Sequence, residues 1–297
     1  MRMPVVLTDD AVKNLVDPLQ LSPTIERLIL RGGIVEAERR AIRLGDAWFA
    51  PMTAGGGRLI TVKMVGVYPG NPERGLPLVR ALTTVYSAGT GDPILVYEAG
   101  SATAIRTAAA SLLAARLLGG RRGGVLGIIG AGVQARAHGE VFQAAFKPER
   151  VLVASRSRTS AERLAGEEGW EASSVEEIHR EATLIVAATN SRTPVVRGTL
   201  LNEGTIVVSV GAPAPVRELD DELKRRARCL LVDTENAVLE SPDAQDWPEL
   251  VTLEDAVRTG RACQDSSVRV YKSVGRPLFD HAVSLYLAGR LRLTGQE

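Results

Sequence analysis

Val125-Leu-Gly-Ile-Ile-Gly-Ala-Gly-Val-Gln-Ala135 is the stretch that decides the fold. Val125–Ile129 reads as a strand without a single polar side chain, and it runs straight into Gly130, Gly132 and Ala135. A dinucleotide-binding turn demands that spacing: the first glycine permits the tight turn, the second lets the backbone approach a pyrophosphate, and a small third residue lets the next helix pack closely on the strand. Gly130, Ala131, Gly132, Val133 and Gln134 are therefore the candidate phosphate cradle, since a helix amino terminus offers free N–H groups to an anion. A glycine turn also serves ordinary strand-to-helix connections. Here a helical run from Ala135 to Phe146 and a second strand, Val151 to Ala154, follow at the distance of a strand–helix–strand unit.

The end of that second strand separates the two nicotinamide dinucleotides. A site for NAD(H) places Asp or Glu there to accept from the ribose 2′-hydroxyl, whereas a 2′-phosphate calls for neutral donors and a guanidinium. The chain reads Ser155-Arg156-Ser157-Arg158, with no carboxylate, so NADP(H) is expected and NAD(H) is the second choice. The competing reading makes these arginines a solvated loop ahead of a Thr159-Ser160 cap, with the helix starting at Ala161.

Outward from these motifs, strands and helices alternate between about residues 125 and 235: after the first two strands come Leu184–Ala188, Ile206–Val210 and Leu230–Val232. Apolar runs without strict alternation fit strands covered on both faces, so the expected fold class is α/β, a Rossmann-type doubly wound parallel sheet. Its carboxyl edge would also collect Thr189 and Asn190 as cofactor-lining residues, with Asp233 near the same edge. The preceding region differs. Helical signals at Thr8–Val16, Pro23–Arg31 and Gly33–Glu38 give way to short strands at Arg40–Leu44, Ala47–Pro51, Arg58–Val65, Leu82–Ser87 and Pro93–Glu98, read as a mostly antiparallel sheet. An Ala-rich helix, Thr103 to Leu118, leads into the nucleotide region, and an amphipathic helix from about Leu278 to Leu291 follows Val268–Ser273 and is expected to return to the first domain.

Composition narrows the function classes. A 297-residue chain, 45% hydrophobic with net charge +1, can bury the cores of about two domains and carries no charge excess that would recruit nucleic acid. No apolar segment is long enough to span a bilayer, and Met1–Asp10 reaches acidic residues too early for a secretory leader, so neither membrane nor nucleic acid is an expected partner and a cytoplasmic location is expected. Cys229 and Cys263 stand apart with no metal-ligand spacing, and read as small unpaired core residues rather than a disulfide or zinc site.

Three cations stand out in the first region. Lys63 lies inside the strand Ile60-Thr-Val-Lys-Met-Val65, Arg106 lies in the apolar helix Thr103-Ala-Ile-Arg-Thr-Ala-Ala-Ala110, and one of Arg39 or Arg40 opens a strand. A cation in apolar surroundings is costly unless a partner offsets it, and the carboxylate of a small metabolite is such a partner.

Together, Gly130-Ala-Gly-Val-Gln-Ala135, Arg106-Thr-Ala-Ala109, Val65-Gly-Val-Tyr-Pro-Gly-Asn71, Val210-Gly-Ala212 with Arg217-Glu-Leu-Asp220, and Tyr271-Lys-Ser-Val-Gly275 resemble the ornithine cyclodeaminase/mu-crystallin family over nearly the whole chain. The resemblance implies a homodimer. It also implies a second, α+β substrate-binding and dimerisation domain formed from both chain ends (1–112 with 268–297), around the NAD(P)-binding domain (113–267). Carried over, Lys63 and Arg106 match the carboxylate-binding pair, Val274 and Gly275 match the segment lining the nicotinamide, and the register before Leu44-Gly-Asp46 favours Arg39 over Arg40 as third cation.

One departure bears on the reaction. Members resembling true ornithine cyclodeaminases carry an aspartate shortly after the Val-Gly of the fourth strand, where this chain has Pro213, which can do no acid–base work. Ketimine reductases of the mu-crystallin type share that lack and the arginine-bearing loop. The expectation is an NADPH-dependent imino acid reductase acting on a cyclic ketimine such as pyrroline-2-carboxylate or piperideine-2-carboxylate. The alternatives are an alanine dehydrogenase, an ornithine cyclodeaminase, or a crystallin-like protein that holds NADPH without catalysis. No metal is expected. His138, His179 and His281 are given no catalytic role, and Glu218 and Asp220 are as well suited to starting a helix as to touching substrate.

Overall fold

The computed structural model describes residues 3–260, 262–263 and 266–293. It divides into two compact units, one built from residues up to Arg106 together with those from Arg276 onward, the other from Thr107–Gly275.

The first unit starts with β1 (Val5–Leu7), α1 (Asp9–Leu15) and α2 (Pro18–Arg31). Asp17 caps α2, accepting from Leu19 N at 2.8 Å, and Pro18 fits the first helical position, so the helix begins five residues before the expected Pro23. Its buried stripe, Leu21, Ile25 and Ile29, recurs at four-residue spacing, each side chain contributing about 1.5–3 kcal/mol of burial. The helical signal at Gly33–Glu38 is overturned. Gly32 and Gly33 take φ of 66° and 74°, which stops the helix, and the chain turns into β2 (Val35–Glu36), paired with Gly55 and Ala54.

There follow β3 (Ile42–Leu44), β4 (Ala47–Gly56), β5 (Leu59–Val67), β6 (Val79–Ser87), β7 (Pro93–Glu98) and α3 (Gly100–Leu117). The sheet order is β1-β7-β6-β5-β4-β2, with β3 also on β4; β1 runs parallel to β7 and the other pairs are antiparallel. Strand alternation sorts β5 into a buried face (Leu59, Thr61, Lys63, Val65) and an outer one carrying Ile60 and Met64.

The second unit holds β8 (Val125–Ile129), α4 (Val133–Phe146), β9 (Arg150–Ala154), α5 (Arg158–Glu168), β10 (Glu171–Ala172), α6 (Val175–Glu181), β11 (Leu184–Ala187) and β12 (Ile206–Ser209). It continues through α7 (Asp221–Ala227), β13 (Cys229–Val232), α8 (Ala237–Glu240), β14 (Glu249–Thr252), α9 (Leu253–Thr259) and β15 (Arg269–Lys272). The sheet is wholly parallel, in the order β10-β9-β8-β11-β12-β15-β13-β14. Strand order reverses between β8 and β11, which is where doubly wound sheets open a crevice at their carboxyl ends.

The inner strands are buried throughout, as their unbroken apolar runs require. Because β15 inserts between β12 and β13, the second boundary falls at 275/276 rather than the expected 267/268, and the first falls at 106/107 rather than 112/113. Residues 1–2 and 294–297 of the expected outer domain lie outside the described residues.

The last helix, α10 (Pro277–Arg290), belongs to the first unit and packs on its buried sheet face. The cysteines depart from expectation: Cys229 and Cys263 form a disulfide, Cα–Cα 5.4 Å. Cys229 opens β13 and Cys263 precedes β15, its neighbour in the sheet, so topology joins two residues whose 34-residue separation carries no motif.

Candidate active site

Lys63 stands in the middle of β5 on its buried face and is 0% exposed. Cross-strand register sets Met52 and Thr83 beside it and Tyr97 one strand further, so it is the one charged member of that row. α10 closes over the row with Asp280, His281 and Ser284. Asp280 Oδ1 accepts from Lys63 Nζ at 2.6 Å and lies 3.4 Å from Arg106 Nε. His281 Nδ1 meets Thr61 Oγ1 at 2.9 Å, Ser284 Oγ meets Tyr97 OH at 3.0 Å, and Ser284 Oγ donates to Asp280 O at 3.2 Å. Asp280 Oδ2 is buried with no hydrogen-bond partner.

Burial pulls the Lys63 ammonium down to about 8; Arg106 and Arg39 push the same way, and Asp280 opposes them. Arg39 thus lies within electrostatic reach of Lys63. Arg40 turns outward, 86% exposed and paired with Glu38 at 3.2 Å. Burial pushes the Tyr97 hydroxyl up and the His281 imidazole down.

In the second unit, Gly130 takes φ 128°, and a Cβ there would lie 2.3 Å from Ala188 O, so only glycine fits where β8 and β11 diverge. Gly132 is the N-cap of the fourteen-residue α4 and makes no side-chain cap bond, and a Cβ on it would meet nothing within 4 Å. Gln134 Oε1 is buried and unpartnered. Open space above uncapped helical N–H groups fits a pyrophosphate.

After β9, Ser157 caps α5 by accepting from Ser160 N, so the helix starts at Arg158, three residues before the expected Ala161. Arg158 pairs with Glu162 at 2.8 Å, while Arg156 is exposed and makes no ion pair among the described residues.

Past β11, Thr189 donates to Glu218 Oε1 from its N–H at 2.6 Å and its hydroxyl at 2.9 Å; Asn190 beside it is exposed. Glu218 Oε2 accepts from Ser209 Oγ at 2.7 Å and Gly211 N at 2.8 Å. Asp220 caps α7, so of these two acids one is a buried brace and the other a helix start. Asp233 Oδ2 accepts from Ser273 Oγ at 2.8 Å, Val274 N at 3.0 Å and Gly275 N at 2.6 Å, fixing that turn.

Pattern reading missed Asp280 and Lys272. Asp280 sits in the first turn of a helix, where an acid is unremarkable. Lys272 carried the same signal as Lys63, a cation inside an apolar strand.

The model of the ornithine cyclodeaminase/mu-crystallin family matches residues 35–293. The chain belongs to that family. It is 33% identical over 262 residues to the Delta(1)-pyrroline-2-carboxylate/Delta(1)-piperideine-2-carboxylate reductase of Azospirillum brasilense, covering 84% of this chain and 83% of that one. It is 30% identical over 259 residues to the mouse ketimine reductase mu-crystallin, with 84% and 83% covered. Among solved structures, the Delta(1)-pyrroline-2-carboxylate reductase of Thermococcus litoralis, in complex with NADH and L-proline, superposes with a TM-score of 0.89 at 27% identity over 98% of both chains. For this family member, the residues with chemistry to offer fall into two groups: the Lys63–Arg106–Asp280 cluster of the first unit and the carboxyl edge of the parallel sheet in the second.

Proposed function

We propose that this chain reduces a small cyclic imino acid, pyrroline-2-carboxylate or piperideine-2-carboxylate, to the amino acid with NADPH. The observation that carries the reading is the buried cluster in which Lys63 and Arg106 share the single carboxylate of Asp280, with Arg39 adding further positive charge. An excess of buried positive charge is costly alone and favourable once a substrate carboxylate enters. Lys63, Arg106 and Arg39 are accordingly proposed to touch the substrate, the arginines holding its carboxylate and Lys63 handling the proton at nitrogen. The named activities of the Azospirillum and Thermococcus relatives support this substrate class.

Gly130, Ala131, Gly132, Val133 and Gln134 would hold the pyrophosphate, and Ser155, Arg156, Ser157 and Arg158 the adenosine 2′-phosphate, with Arg156 the cation left available for it. Thr189, Asn190, Val274 and Gly275 would line the nicotinamide. When bound, the dinucleotide supplies the hydride. A homodimer through the outer face of the antiparallel sheet would cover exposed Ile60, Met64 and Leu82. No helix among the described residues is long and apolar enough to cross a membrane.

Parallel assays test the reading: NADPH oxidation with pyrroline-2-carboxylate or piperideine-2-carboxylate, reduction of pyruvate with ammonia, and proline release from ornithine. Fastest turnover is expected in the first. Turnover confined to either other pair, or tight NADPH binding without turnover of any, overturns it.

A further inference from the structure

We propose, resting on the function above, that Asp280 is the positioning residue of the reduction: its Oδ1 aims the Lys63 side chain and holds it as the ammonium that gives its proton to the substrate nitrogen. Asp280 is 2% exposed, and a carboxylate so placed must be neutralised inside the protein. It sits in the first turn of α10, where the amino-terminal end of the helix favours negative charge. Its two oxygens are used unequally. Oδ1 takes Lys63 at 2.6 Å and Arg106 at 3.4 Å, whereas Oδ2 has no partner. Glu218, which braces the loops of the other sheet, has both oxygens occupied, through Thr189, Ser209 and Gly211.

The groups facing Lys63 leave Asp280 as its source of negative charge. From α10 come Asp280 and His281, the latter bonded to Thr61; from α3 comes Arg106; from the segment before β3 comes Arg39; from β7 comes the Tyr97 hydroxyl, held to Ser284. Met52 on β4 and Thr83 on β6 add no charge. Against burial and two guanidiniums, the ammonium form depends on Asp280. In the step itself the reduced nicotinamide would supply the hydride to the imine carbon, and the Lys63 ammonium gives its proton to the C=N π pair at nitrogen. Amino acid, oxidised nicotinamide and neutral Lys63 result, and water returns the proton to Lys63.

The test is the pH profile of Asp280→Asn beside Asp280→Glu, with a direct carbon NMR titration of the Lys63 side chain in each. In the wild type the alkaline limb of kcat is expected near pH 8. In Asp280→Asn, both that limb and the Lys63 titration move toward acid by at least about one pH unit, with about fivefold or greater loss of kcat at the wild-type midpoint. Asp280→Glu restores the limb with a lower kcat and a KM for the imino acid within about twofold of wild type. A folded Asp280→Asn whose loss is uniform across pH, with Lys63 titrating where it does in the wild type, overturns the proposal. If Asp280→Asn does not fold, unchanged kcat in Asp280→Glu overturns it. A wild-type chain inert toward every imino acid overturns the function and the donor role together, while an unmoved Lys63 titration overturns the coupling alone.

Discussion

Two lysines are fully buried on strands of this molecule, Lys63 on β5 and Lys272 on β15, and they are partnered in opposite ways. Lys272 Nζ donates to Ser209 Oγ at 2.9 Å, Gly211 O at 2.5 Å and Asp243 Oδ2 at 3.2 Å, with Glu218 Oε2 at 3.8 Å. Two carboxylates serve one cation, and each carboxylate also accepts backbone N–H groups: Glu218 from Thr189 and Gly211, Asp243 from Glu218 and Leu219. Around Lys63 the balance is reversed, with one carboxylate shared by two cations and one of its oxygens unpartnered. A closed network secures the loops at the sheet's carboxyl edge, while a cluster with charge to spare is suited to receive an anion.

Replacing each lysine by methionine gives the largest contrast. Lys272→Met leaves two carboxylates buried without their cation and is expected to lose about 3–5 kcal/mol of stability in denaturant unfolding. Lys63→Met keeps Arg106 beside Asp280 and is expected to lose less stability, yet to lower kcat/KM for the imino acid by about 10²–10⁴ with NADPH binding retained. Equal stability losses, or an active Lys63→Met, would break the contrast.

The same distinction applies to arginines. Arg156→Asp is expected to weaken NADPH by about tenfold or more, with a much smaller effect on NADH, because it places a carboxylate against the 2′-phosphate. Arg158→Ala, which gives up an exposed pair with Glu162, is expected to change NADPH affinity less. Activity at saturating substrate should fall as pH rises through about 8, since the depressed Lys63 loses its proton there. Smallest of all, Arg40→Ala should alter stability by less than about 0.5 kcal/mol and leave KM unchanged, while Arg39→Ala raises KM.

The parallel sheet was legible because its signals are local: glycines after an apolar strand, then strands of unbroken Val, Ile and Leu. The antiparallel unit was legible in outline. Expectation failed where tertiary pairing outweighed pattern, as at Val35–Glu36, which β4 draws into the antiparallel sheet, and at β15, which distant strands draw into the parallel sheet rather than the outer domain. Lys63 and Lys272 looked alike in sequence, each a cation amid apolar residues. Their difference lies in Asp280, Glu218 and Asp243, acids brought from 217, 54 and 29 residues away, a separation no periodicity encodes. The disulfide was hidden for the same reason.

The most direct test is a crystal structure of the chain with NADP(H) and pyrrole-2-carboxylate, a planar analogue that cannot be reduced. The analogue's carboxylate is expected within hydrogen-bond distance of Arg106, with Lys63 Nζ beside its ring nitrogen and the nicotinamide facing its ring. An analogue bound elsewhere, or a nicotinamide remote from Lys63 and Arg106, would contradict the central claim.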